Sequence, residues 1–191
     1  MKTFGNYLLI LLTVTSIIGC KSKQTVTKAT GSTEIKVPFS ENKYKTDKNF
    51  FRAVQSGTSP DMATAKKIAM VNAKSELASS IQTTVKVVTD NYTNQRSFAN
   101  KQEFENKFEE LSRQVTNQML SNVVIMDEKM LKDENDKYTS WLAIEMSKDE
   151  VLKNLTDQIS KEEKLQIDFD KYQYEKIFNQ EMGKFNNFQN Q

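Results

Sequence analysis

The chain has no histidine and a single cysteine, Cys20. The first absence removes the Ser-His-Asp and Cys-His groupings that activate a side-chain nucleophile, and both together remove the usual His and Cys sets that hold zinc. Glycine is scarce, 5 in 191 residues, and never takes the spacing of a phosphate-cradling loop, which excludes the common nucleotide enzymes. An excess of one charge is missing too. With 27 Lys+Arg against 25 Asp+Glu, the chain has no electrostatic footprint for nucleic acid. No internal repeat is present, no cofactor is expected, and the metal-site expectation is none.

What is there begins at the N-terminus. Lys2 supplies a positive start and Tyr7 to Val14 a short apolar run, too short to span a bilayer as a mature helix. Ile17-Ile18-Gly19-Cys20 then has the shape of a lipobox, in which aliphatic and small residues precede a cysteine whose thiol becomes a thioether. These residues predict a signal peptide over 1–19 and a palmitate-type lipid on Cys20, so the sole cysteine is an anchor and not a catalyst. Several acyl chains on one cysteine hold firmly, because each buried methylene contributes about 0.8 kcal/mol. Lys21 follows the cysteine in place of the aspartate that marks inner-membrane retention, and no acidic run follows it. The expectation is therefore a lipid-anchored protein of the outer membrane, facing the periplasm.

From Cys20 to Thr33 the Lys, Ser, Thr and Gln residues show no apolar periodicity, which predicts a flexible tether over 20–33. Lysines outnumber acids between residues 21 and 48, either as a solvated tether or as a segment touching anionic headgroups. Phe50 to Ser56, closed by Gly57, predicts a first strand. Thr58-Ser59-Pro60-Asp61 predicts a helix start with a hydroxyl cap, and Ala65, Ala69, Ala73, Leu77, Ile81 and Val85 repeat every fourth residue along the helix that follows. A break is expected at Asp90 to Asn94. A second helix starts at Asn100, with Glu103 as its reciprocal capping partner. Val123 to Met126 and Tyr138 to Met146 predict a hairpin whose apolar face, Leu142, Ile144 and Met146, meets the first helix. Ser147 and Glu150 form a second capping box, starting a helix expected to run past Lys164. The resulting fold class is α+β, a three-stranded antiparallel sheet packed on a long helix with further helices. The domain spans 34–164, and a C-terminal helical extension with a polar tail spans 165–191.

This order of elements resembles the Lpp-twenty lipoprotein family, on Phe51-Arg52-Ala53 through Ser59, the ladder Ala65 to Ile81, and Trp141-Leu142-Ala143-Ile144-Glu145-Met146. The resemblance covers roughly residues 48 to 148. It implies a small α+β envelope module, similar to the N-terminal domain of a flagellar T-ring assembly protein, in a family most of whose members have no assigned enzyme activity. The chain departs from the family pattern at Trp141, where tyrosine is more usual, and in its C-terminal extension.

The residues leave few candidates for chemistry. The acid pairs Glu109-Glu110, Asp127-Glu128, Asp133-Glu134 and Glu162-Glu163 could act as general acid and base on a glycan, but their lysine-rich surroundings favour solvated surfaces. Asp133, Asn135 and Asp136 lack the glycine and closing glutamate of a calcium loop. The interaction candidates are Trp141, on the strand face away from the first helix, and Phe169, Tyr172 and Phe178 of a C-terminal aromatic stripe. That stripe either docks a partner or a second copy, or folds back on the second helix. The first reading is a non-enzymatic, lipid-anchored envelope module that binds another envelope protein, with homo-oligomerisation open. The alternatives are a carboxylate-dependent cell-wall hydrolase and a periplasmic carrier holding an apolar ligand between the first helix and the sheet.

Overall fold

The structure, a computed structural model, describes residues 35–189, with side chains through residue 185. The expected signal peptide, Cys20 and the tether lie outside the described residues. The architecture is α+β. Three antiparallel strands, β1 (Phe50–Ser59), β2 (Val124–Lys132) and β3 (Tyr138–Ser147), lie in the order β1-β3-β2, so β3 is central. Five helices complete it: α1 (Met62–Asn94), α2 (Lys101–Met119), α3 (Lys148–Ile159), the short α4 (Glu163–Gln166) and α5 (Lys171–Gln189).

The alanine ladder works as the spacing requires. Ala65, Ala69, Ala73, Leu77 and Ile81 are each 0% exposed, and this stripe lies on the sheet face made by Phe51, Ala53, Leu142, Ile144 and Met146. The ladder pairs Phe51 with Met146 and Ala53 with Ile144, so one face of two strands presents its apolar residues together. Gly57 sets the closest approach. A Cβ placed there would stand 2.4 Å from the Ala69 nitrogen and 2.6 Å from the Ala65 carbonyl oxygen, so the helix backbone occupies the space a side chain would need.

Several local details depart from the sequence expectations. The cap of α1 is Asp61, not a hydroxyl: the Thr64 N–H donates to its carboxylate at 2.7 Å, and Ser59 instead accepts from the Asp61 N–H at 3.1 Å. The helix does not break at Asp90 to Asn94, because Tyr92 and Thr93 are buried there; the chain turns only after Asn94. Asn100 does cap α2, its Oδ1 accepting the Glu103 N–H at 3.1 Å, but the return bond to the Glu103 carboxylate, also 3.1 Å, comes from the Asn100 side-chain amide and not from its backbone N–H. Ser147 precedes α3 without a side-chain capping bond. α3 ends at Ile159 rather than running past Lys164, and the turn that follows lets Leu165, 0% exposed, enter the core.

Beyond the sheet, the second half of α1 packs against α2 and α5. Tyr92 sits at the centre, its ring 6.2 Å from Phe104, 6.1 Å from Phe169 and 5.6 Å from Tyr174. This aromatic cluster is continuous with the sheet-side core, so one hydrophobic interior runs from Phe51 to Met182.

The other face of the sheet is partly covered by the segment before β1. Tyr44, 6% exposed, donates its hydroxyl to the Asp127 carboxylate at 2.7 Å. Arg52 donates to Glu145 of β3 and to the Lys45 carbonyl, each at 2.9 Å, and also holds Asp47. Burial alone would raise the Asp47 carboxyl, but the Arg52 guanidinium and the N–H groups of Asn49 and Phe50 outweigh it and hold the group below the usual carboxylate range.

Candidate functional site

The candidates of the C-terminal stripe separate by position on α5 and the loop before it. Phe178 is 0% exposed, and Phe169 is partly buried with its ring 6.3 Å from Phe108 of α2 and 5.6 Å from Tyr174. Neither offers a surface to a partner in this fold. The stripe folds back onto the domain, but its main support is α1 and not the second helix as expected, from which Phe108 reaches the Tyr174 ring. Tyr172 alone of the three points outward, 77% exposed, beside Glu175 and Lys176. Trp141 is half-buried on the sheet face away from α1, between Ser56 of β1 and Lys129 of β2. Next to it Ala143 is 0% exposed.

The acid pairs are dispersed. Glu109 pairs with Arg113 at 2.9 Å and Glu110 with Lys107 at 3.2 Å. Asp127 accepts from Tyr44, which holds its carboxyl below the ordinary range, while Glu128 pairs with Lys66 at 2.9 Å. Asp133 closes the hairpin by accepting the N–H groups of Asn135 and Lys137, both at 2.9 Å, with Asp136 in the left-handed region at φ 59°. Among the described residues, no group of three acids or cysteines is gathered as a metal would require.

Two hollows matter for ligands. A cleft of about 360 Å³ between α1 and α2 brings together Asp90, Glu105 and Glu109 with Lys86 and Arg113. Two of its three carboxylates are engaged, Glu105 with Thr93 and Lys101, and Glu109 with Arg113. The second hollow is an open groove of about 490 Å³ beside α1, walled by Met70, Val71, Ile125 and Leu142, with Ser140 in its lining and Lys66, Lys67 and Glu128 around it.

Sequence reasoning placed an apolar ligand between the first helix and the sheet as one alternative, but did not name this groove's lining. Its signal was present in Val71, an apolar residue on α1 two positions beyond Ala69 and off the buried stripe, 66% exposed in the structure. Among the described residues, no helix is long and apolar enough to cross a membrane. No family model matches the chain, and no curated protein or solved structure is found similar to it.

Proposed function

We propose that this is a lipid-anchored protein of the bacterial outer membrane, acylated at Cys20, facing the periplasm and acting as a non-enzymatic docking module for another envelope protein. The observation that carries the reading is the lipobox Ile17-Ile18-Gly19-Cys20, which contains the sole cysteine of a chain without histidine. The fold supports it in two ways. Among the described residues one apolar core is continuous from the sheet to the C-terminal helix, and the candidate acid pairs are spread over separate surfaces where several hold cations or a phenol. Tyr172 and the half-buried Trp141 are the sequence candidates left within reach of a partner. The small α+β form is also what the resemblance to the Lpp-twenty lipoproteins implies, and membership of that family is part of the proposal.

Metabolic labelling with palmitate, followed by membrane fractionation, tests the reading. The native chain takes up label and sediments with the outer membrane, while the Cys20→Ser variant takes up none and is released. Absence of label from the native chain overturns the anchor and the localisation with it.

A further inference from the structure

The groove beside α1 exists because one helix covers two strands of three. α1 packs on β1 and β3, while β2 extends beyond it with Ile125 50% exposed. A bulge at Met126 keeps Ile125 on the α1 side, paired with Ile144, and places Glu128 on that side opposite Leu142. The Glu128–Lys66 ion pair bridges the strand and the helix at 2.9 Å.

The lining changes character along its length. On α1, Lys66 and Lys67 stand one helical turn before Met70 and Val71. On β3, Ser140 stands two residues before Leu142, on the same face. The groove thus has Ser140 and Lys67 at one end and Met70, Val71 and Ile125 at the other, with the Lys66–Glu128 ion pair between them, opposite Leu142. At the polar end Ser140 is 1% exposed and its Oγ has no hydrogen-bond partner among the described residues. A buried hydroxyl without a partner is unfavourable in an otherwise satisfied interior. Lys67 forms no ion pair among the described residues, whereas Lys66 is held by Glu128.

We infer that this groove binds a single-chain fatty acid, with its alkyl chain along Met70, Val71, Ile125 and Leu142 and its carboxylate toward Ser140 and Lys67. The volume is that of a small-molecule site, and apolar walls with a few polar groups at one end are the usual chemistry of such sites. The head-to-tail polarity favours an amphiphile over a second copy or a partner helix, since either would need an apolar stripe along the whole groove. Lys67 supplies the charge complementary to a carboxylate. The site lies in the described domain and does not depend on whether Cys20 is acylated.

Calorimetric titration of dodecanoate, kept below its micelle-forming concentration, into the chain from residue 20 carrying Cys20→Ser tests this. One molecule binds per chain. Ile125→Asp weakens binding by about tenfold or more, Lys67→Glu and Ser140→Ala each by several-fold, and dodecyltrimethylammonium binds more weakly than dodecanoate. Ile125 and Lys67 are exposed, so circular dichroism of these variants matches the parent. Absence of saturable binding, or equal binding by the Ile125→Asp variant or by the cationic amphiphile, overturns the assignment. A doubled mass that Ile125→Asp abolishes and dodecanoate leaves unchanged overturns it too, and gives the groove to a second copy. Palmitate labelling reads the anchor separately, so failure of one proposal is distinguishable from failure of the other.

Discussion

The hydroxyl of Tyr92 accepts the backbone N–H of Asp170 at 2.7 Å, tying the last turn of α1 to the start of α5 across 78 residues. The same hydroxyl donates to the Asp168 carbonyl at 3.1 Å, so one phenol fixes the whole turn that aims α5 back at α1. Tyr92→Phe keeps the ring and removes both bonds. Each hydrogen bond contributes about 0.5–1.5 kcal/mol net, so the variant loses about 1–3 kcal/mol in urea unfolding. Hydrogen exchange rises at Asp170, whose amide has lost its acceptor. An unchanged unfolding midpoint would show that the turn is held by packing alone.

Two phenols in the aromatic cluster make the fold sensitive to base. Burial raises Tyr92 above its ordinary value of 10.0, and burial raises Tyr174 further. In both, the folded state favours the neutral phenol, so their contribution is complete below the unfolded value and is lost as pH rises through and beyond it. Stability therefore falls as pH rises above about 10, read as a declining urea midpoint, and phenolate absorbance of the two buried rings appears together with loss of helix. Phenolate absorbance that climbs while the helix signal stays constant would contradict this.

At the acid side the relevant node is Asp47. Its folded value is depressed, so it contributes above the unfolded value of 3.8 and that contribution disappears as pH falls below it. Asp47→Asn lowers stability at neutral pH and flattens the dependence between pH about 2 and 6, as read by urea midpoints. Parallel curves for variant and parent would place the acid sensitivity elsewhere.

Gly57→Ala tests the close approach of α1. The added carbon meets backbone atoms of Ala65 and Ala69, which cannot rotate away as a flexible side chain could. The helix must lift from β1, at a cost of about 1–3 kcal/mol, and the thermal midpoint falls. An alanine variant as stable as the parent would mean that the helix shifts freely on the sheet.

Which parts of this fold could be read from residues follows from what surrounds them. The ladder Ala65 to Ile81 was legible because a helix on a sheet buries one narrow stripe, and every member of it fell in the core. β3 was legible for the same reason, since Leu142, Ile144 and Met146 alternate against α1. β2 was not read beyond Met126. It is an edge strand only partly covered by α1, so its Asp127-Glu128-Lys129 run needs no apolar alternation to be stable. Asp90 to Asn94 looked like a break because Asn and Asp favour turns, yet burial of Tyr92 and Thr93 overrides that preference. A ligand site between the first helix and the sheet could be imagined from the sequence, but its lining could not, because Val71 and Ile125 are more than fifty residues apart and only the bulge at Met126 brings Ile125 to that face.

The C-terminal helix gives the sharpest contrast between neighbouring aromatic residues. Tyr172 and Phe178 look alike as members of one stripe, but one is 77% exposed and the other fully buried. Phe178 belongs with Tyr174, Ile177 and Met182 on the side of α5 that enters the common core, so removing its ring leaves a hollow between helices. Phe178→Ala costs about 3–5 kcal/mol, whereas Tyr172→Ala changes stability by no more than about 0.5 kcal/mol. If α5 were an appended docking element, both variants would unfold at the parent's urea midpoint. If it is part of the domain, Phe178→Ala alone shifts the midpoint, and ending the chain after Asp170 exposes the Tyr92 cluster and abolishes cooperative unfolding.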